Sequence, residues 1–439
     1  MDMQSIIRLA LRNVIRQWRY SLSSLLVLAS GLIALILLKG FIYGLTDLWT
    51  KFFEIRHMFA DVVIESAIFD EGTDQAAPIP SEGQRQLDKI LKTEASSIAQ
   101  RVRFLEIEGE LSLLGENAAF SGLGYDRDAG EAVRGSKWQW NAYAGEPLKR
   151  RGDVVLGRIL SSNLGCVAPT EGFRHLGGDQ PGYLPENRPI LCGDRDGRGE
   201  KVFLQLGTDS GRANGTLMTY RGIVDAGYPE YDRMWLMMDL ADAQRLVDSE
   251  KISWMTLRLR PRVSPQTFIG ATQDRIRQLG LRIMPWSEHR HAEYYRRFSK
   301  YLWLLEVFVT TILYAIICLA TFNVMVKIID ERTPEIGLLQ CIGYPKTTIR
   351  NLFFIETAII IVSGLVLGSV VALGIAAALN AMEFMYEVGI FTEPLPFFIK
   401  ISGQAWSLAA FCLFCTAFVS MAAAIWRSLH RTVIECLLN

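Results

Sequence analysis

The hydrophobic pattern divides the chain into five regimes. Long, predominantly apolar runs occupy residues 21–45, 301–326, 351–379 and 405–426, each near or above the roughly 20 residues that cross a bilayer core as a helix. Between the first and second runs the pattern changes. "DVVIESAIF" and "WMTLRLRP" alternate as strands do. "SEGQRQLDKILKTEA" spaces its apolar residues as an amphipathic helix opened by Ser81. "MWLMMDLADAQRLVDSE" passes from strand to helix, with Asp239 as N-cap and Asp242 in the first turn, where anions are favoured. The pattern predicts a membrane α-helical protein with four transmembrane helices. A large extracytoplasmic α+β domain of one or two lobes, residues 46–300, is inserted between the first and second helices.

Composition agrees with that split: 439 residues, 50% hydrophobic, with a formal net charge of zero. The neutral balance gives no support for nucleic-acid binding. Charge in the short connections gives an orientation, because long loops escape the positive-inside bias. Arg8, Arg12, Arg16 and Arg19 precede the first run, Lys327, Arg332, Lys346 and Arg350 lie in 327–350, and Arg427 and Arg431 follow the last run. Residues 380–404 carry Glu383, Glu387 and Glu393 against Lys400. The expectation is an amphipathic helix over 1–20, a loop at 327–350 and a tail at 427–439 on the cytoplasmic side, with 46–300 and 380–404 outside. Arg296, Arg297 and Lys300 weigh against it. The first run exceeds a signal-peptide core and no small-x-small site follows Lys39, so it is expected to remain as a helix.

Catalytic chemistry is hard to find. The sequence contains no G-x-x-x-x-G-K-[ST] phosphate loop, no H-E-x-x-H and no G-x-S-x-G. "SEHRHAE" brings His289, His291, Glu288 and Glu293 together, but as charged residues expected beside a span rather than as a metal site. Glu306 and Glu356 fall inside apolar runs near their ends, within snorkelling reach of the interface. Cys166 and Cys192 are the only cysteines of residues 46–300 and flank a Gly/Pro-rich stretch. An oxidising compartment permits a disulfide between them, worth about 3 kcal/mol in the chain-entropy model.

The connection 327–350 is more elaborate than a link requires. Thr333-Pro334-Glu335 reads as a helix start: hydroxyl N-cap, proline at the first position, and an acid at the positive end. Ile336, Leu338, Leu339 and Ile342 give an apolar surface, Gly343 ends the helix, and Pro345 begins the next. So short a helix cannot stabilise itself, and its apolar face needs lipid headgroups or a protein groove.

"ERTPEIGLLQCIG" resembles the ER-x-x-EIG-x-x-x-x-x-G signature of the FtsX/MacB/LolC-LolE permeases of ABC transporters. "LFFIETAIIIVSGLVLG" is similar to the family's following span, through Glu356, Gly364 and Gly368. The resemblance implies that Glu331, Arg332, Glu335, Ile336, Gly337, Leu339 and Gly343 form a coupling helix docked on a cytoplasmic ABC ATPase dimer. ATP and Mg would be bound there and not in this chain. It also implies a second permease copy or paralogue, a periplasmic carrier or adaptor, contact with membrane lipid, and the bacterial inner membrane. Gly364, Gly368, Ala372 and Ala376 offer a small-residue ridge for packing between copies or within one bundle. "VVLGRILSSNLG" and "RGIVDAGYPEYDRMWLMMDLADAQRLV" look most like the lipoprotein-releasing branch, through Gly222, Ile223, Val224, Gly227, Asp232, Asp239 and Gln244. The expected function is extraction of a lipidated or hydrophobic substrate. Tripartite export, or regulation of a cell-wall hydrolase without transport, are the alternatives. Gln340 and Cys341 depart from the signature, and the 167–191 insertion is extra.

Overall fold

The computed structural model describes residues 8, 10, 12, 13, 15, 16, 18–69, 76–138, 142–168, 189–193, 195–224, 229–386 and 395–429. Expectations for Gly227, Glu387, Glu393, Arg431 and most of the 167–191 insertion lie outside these residues. The chain divides into two compact units, 1–46 with 299–384 and 397–439, and 47–298 with 385–396.

Among the described residues, four helices are long and apolar enough to cross a membrane. They run Trp18–Lys51, Glu293–Glu331, Lys346–Ala381 and Gly403–Leu429, and each continues past the apolar run that marks it in the sequence. The third carries a helical stripe of buried residues, including Ile349, Phe353, Glu356, Ile360, Gly364, Gly368, Ala372 and Ala376. This stripe decides what the small-residue ridge does. A Cβ built on Gly368 would stand 2.9 Å from the Ala29 carbonyl oxygen and 3.0 Å from its Cα, and one on Gly364 would meet Leu28 and the Leu25 backbone. Ala372 packs with Leu32, Leu35 and Ile36. The ridge therefore lets the third helix lie backbone to backbone on the first helix of its own chain, with little side chain between them.

The large α+β unit is built on one ten-stranded mixed sheet. Its strands are β1 (Val62–Ser66), β2 (Ile98–Leu113), β3 (Glu116–Tyr125), β4 (Ala142–Gly145) and β5 (Asp153–Gly157). After the short pieces β6 (Cys166–Val167), β7 (Leu191–Cys192) and β8 (Arg195–Asp196) come β9 (Lys201–Gly207), β10 (Ala213–Val224), β11 (Trp235–Asp239), β12 (Trp254–Leu259) and β13 (Leu281–Pro285). The long strand β2 is shared. Its first half pairs with β12 and its second half with β9, while β3 runs along its other edge. Because β9 also pairs with β10, the path β2-β3-β11-β5-β10-β9 closes on itself. Closure removes the free edge that these six strands would otherwise present, while β13 and β4 end the sheet. It points Val202, Leu204 and Leu206 of β9 inward, at every second position, to meet Leu111, Val154, Tyr220 and Leu236 in the core. Cys166 and Cys192 face each other across β6 and β7 and are joined by a disulfide, their Cα atoms 4.1 Å apart. Ser81 is the first residue of its helix, with Pro80 in the cap position; the hydroxyl makes no cap there.

The ridge gives a direct test. Gly368→Leu should lower the thermal stability of the detergent-solubilised chain by about 1–3 kcal/mol, the usual cost of overpacking. Gly374→Leu on the same helix, where an added Cβ meets nothing within 4 Å, should leave it unchanged. Equal effects of the two would remove the packing role.

Candidate functional site

The connection between the second and third spans holds the helix Thr333–Cys341. Arg332 alone separates it from the second span, and the break has a covalent cause. Pro334 has no N–H to continue the ladder and restricts the residue before it. Arg332 occupies the cap position and makes no side-chain cap. Thr333, expected as the cap, is instead the first helical residue, and its hydroxyl donates back to the Ile329 carbonyl at 3.0 Å. At the other end the Gly343 N–H donates to Gln340 O (3.0 Å) and the Tyr344 N–H to Leu339 O (3.1 Å). That is the Schellman pattern, with Gly343 at φ +92° as its left-handed residue.

The helix has two faces with different fates. Thr333, Ile336 and Gly337 are buried, and Ile336 packs with Met325, Ile329, Ile349 and Phe353 of the same chain. Ile336 and Gly337, expected to meet a partner, are thus committed to this chain's own core. The opposite face is open: Leu338 is 56% and Ile342 66% exposed. Glu331, Pro334, Glu335 and Cys341 are also exposed and Leu339 is half-buried; Glu331 lies 3.9 Å from Lys327.

Beneath the helix start lies an ion pair. The Arg332 guanidinium donates to Glu356 Oε2, with side chains only 7% and 3% exposed, and Asn13 Nδ2 donates to Glu356 Oε1 at 2.6 Å. Arg332 also stands over the Phe353 ring, 5.7 Å from its centroid. This corrects the interfacial reading of Glu356: its carboxylate points inward and is neutralised within the chain. Glu306 is paired as well, 3.0 Å from Lys39 of the first span, both partly exposed. Asn13 carried no signal in the sequence, since its partner is 343 positions away.

The α+β unit uses its polar residues as architecture. Asp232, buried, accepts from the Arg158 and Ile159 N–H groups at 3.1 and 2.7 Å and so caps the helix Arg158–Asn163. Asp239 accepts from the Ala241 N–H as an N-cap. Gln244 donates to the Glu250 and Lys251 carbonyls. The "SEHRHAE" residues form two carboxylate–imidazole pairs. His289 lies 3.3 Å from Glu65 and His291 3.4 Å from Glu106, while Arg282 and Arg290 donate to the same carboxylates. Trp254 lies against both imidazoles, its ring centroid 5.0 and 4.9 Å from theirs. No group of three or more His, Cys, Asp or Glu suited to a metal ion occurs among the described residues. Burial pushes His289 down to about 4, with the Glu65 contact opposing. Burial pushes Glu65 and Glu106 up, but their imidazole and guanidinium partners outweigh it and hold both below the usual range.

Comparison with known proteins finds similarity in the membrane half. Residues 307–433 match the family model described as FtsX-like permease C-terminal. The ABC transporter permease YtrF of Bacillus subtilis is 35% identical over 74 residues, covering 17% of this chain and 17% of that protein. The macrolide export ATP-binding/permease protein MacB of Rhodopseudomonas palustris is 33% identical over 72 residues, 16% of this chain and 11% of that protein. The matches therefore span a minor part of each relative. Among solved structures, the periplasmic region of MacB from Actinobacillus actinomycetemcomitans aligns over 55% of this chain and 94% of its own, at 10% identity and a TM-score of 0.35. The extracellular domain of the noncanonic ABC-type transporter YknZ from Gram-positive bacteria aligns over 51% and 99%, at 9% identity and a TM-score of 0.32.

Two outcomes are expected from the charges. Arg332→Gln or Glu356→Gln alone should destabilise the solubilised chain by about 3–5 kcal/mol, because each strands a buried charge or its partner's hydrogen bonds. Arg332→Met with Glu356→Leu should cost clearly less than the sum; additive losses would mean the two do not act as a pair. For the imidazole pairs, His289 is neutral in the fold and free to protonate once unfolded. Stability should therefore fall as pH drops from 6.5 towards about 4, by up to about 3 kcal/mol. Glu65 and Glu106 add a further loss as pH falls through their lowered folded values. Thermal unfolding of the full chain followed by tryptophan fluorescence should show this slope and should flatten between pH 6.5 and 4.5 in His289→Gln. A pH-independent midpoint in the parent chain would contradict it.

Proposed function

We propose that this chain, whose residues 307–433 match the model of the FtsX-like permease C-terminal region, is the membrane subunit of an ABC transporter. Its 333–341 helix would receive the motion of a separate cytoplasmic ATPase dimer, which binds the ATP and Mg. The observation that carries this reading is the two-faced helix. A nine-residue helix held by one apolar face in its own bundle has its position fixed, yet still presents Leu338 and Ile342 outward, opposite Ile336. Large apolar side chains at the tip of a charged connection gain by entering a protein groove. Glu331 and Glu335 rim that face and would set its charge preference. The coupling residues carried by the family signature thus separate by role. Arg332, Ile336 and Gly337 hold the helix, Gly343 ends it, and Glu331, Glu335 and Leu339 border the open face.

In this reading two permease copies, identical or paralogous, are drawn together by ATP binding, and the α+β domain acts on its substrate in the periplasm or the outer leaflet of the bacterial inner membrane. A lipidated or hydrophobic substrate, released to a carrier or adaptor, is the first choice. The second is export in the manner of a macrolide exporter, favoured by the 33% identity to a protein so named. ATPase stimulation in proteoliposomes by a lipoprotein or by a small amphiphile separates them. Stimulation only by a cell-wall hydrolase would point instead to a regulator that moves no substrate.

The coupling claim has its own test. Leu338→Asp and Ile342→Asp should leave the permease folded and inserted, because both positions are exposed, yet weaken ATPase binding by about 100-fold or more, since a charge left unpaired in a groove costs several kcal/mol. Ile336→Asp should instead destabilise the permease itself. Full recovery of the ATPase with both exposed-face variants would mean that this helix is not the dock.

A further inference from the structure

A second feature of the membrane unit is independent of the coupling helix. Where the third span begins and the fourth ends, their surfaces part to leave an open groove of about 640 Å³. Lys346, Thr347, Arg350 and Asn351 form its polar end, and Phe354 with Ala422, Ala423, Ile425 and Trp426 its apolar wall. The sequence explains the shape. Thr347, Arg350, Asn351 and Phe354 fall on one face of the third helix at helical spacing. The two alanines opposite leave the space that larger side chains would fill. Phe354 is fixed by stacking on Phe418, ring centroids 5.0 Å apart. Trp426 is 69% exposed, an indole at the level where a span leaves the hydrocarbon, its preferred depth.

Among the described residues two cations line the groove and no carboxylate does, and Arg350 makes no ion pair there. Cations at one end and an apolar wall at the other complement a molecule with a phosphate at one end and an acyl chain at the other. Basic grooves between spans at the membrane surface suit such headgroups, and the volume fits a headgroup with its first methylenes. We infer that the groove between the third and fourth spans is a binding site for an anionic phospholipid. Lys346 and Arg350 hold the phosphate, while Phe354, Ala423 and Trp426 flank the chain.

Native mass spectrometry of the full-length chain in neutral detergent reads this directly. Titrations with phosphatidylglycerol, phosphatidylcholine of the same chain length, and inorganic phosphate give the three arms. Phosphatidylglycerol should bind at least about tenfold more tightly than phosphatidylcholine, near fivefold per cation. Lys346→Gln with Arg350→Gln, both exposed and outside the core, should bring the two lipids level. Lys327→Gln, a cation of the same connection outside the groove, should change nothing. Ala423→Trp, which fills the groove and leaves the cations intact, should weaken both lipids while thermal unfolding stays unchanged. The proposal is overturned by equal binding of the two lipids, or by a preference that survives the double variant. It is also overturned if inorganic phosphate binds as well as the lipid and Ala423→Trp has no effect, which would make this a free-anion site. Loss of a co-purifying ATPase from the double variant with lipid binding intact would assign the face to a protein and overturn it too.

Discussion

The Arg332–Glu356 pair is the constraint on which the organisation of the membrane unit rests. Two opposite charges buried among Ile329, Ile349 and Phe353 are costly apart and tolerable only together. Their pairing therefore fixes the distance and angle between the end of the second span and the third. Pro334 breaks the helix at that point, so the ion pair also fixes where the short helix starts and which way its faces turn. Asn13 completes the shell of Glu356 and ties the N-terminal segment to the same point. A helix of nine residues has almost no stability of its own. It acquires a defined orientation from this pair at one end, from Ile336 in the core, and from the glycine-terminated Schellman turn at the other.

The α+β unit follows a different economy. Its ring of strands is closed by β9, so most of its backbone groups are satisfied without a partner chain, and the disulfide further restrains β6 and β7. Acids that might have suggested chemistry accept from backbone N–H groups or pair with imidazole and guanidinium partners. Asp232 and Asp239 are helix caps, and Glu65 and Glu106 balance His289, Arg282, His291 and Arg290.

The sequence carried the membrane architecture in full view, because a hydrocarbon layer imposes length and apolarity on each span. The same signal overreached at residue level. Thr333 has the chemistry of an N-cap, but Arg332 takes the cap position and the Thr333 hydroxyl turns back to the Ile329 carbonyl. Glu356 looked like an interfacial acid because its burial depends on Arg332, 24 positions away, and on Asn13, which no local pattern links to it. The assignment of Ile336 to a partner face failed for a related reason. Thr333, Ile336, Gly337 and Gln340 lie at helical spacing and could have been read as an inward face, but nothing local says which of two apolar faces the chain keeps for itself. The closed strand ring was not legible at all, since it depends on β2 serving two partners along one continuous strand.

In the proposed function, the open face of the 333–341 helix seats in the ATPase. Cys341 is exposed on that helix and offers a native handle. With the other free cysteines replaced, a short photo-activated cross-linker on Cys341 in intact membranes should yield a covalent adduct between this chain and the nucleotide-binding subunit, and the adduct should be lost in Ile342→Asp. Adducts to lipid or to the permease alone, from complexes that still retain the nucleotide-binding subunit, would contradict the account.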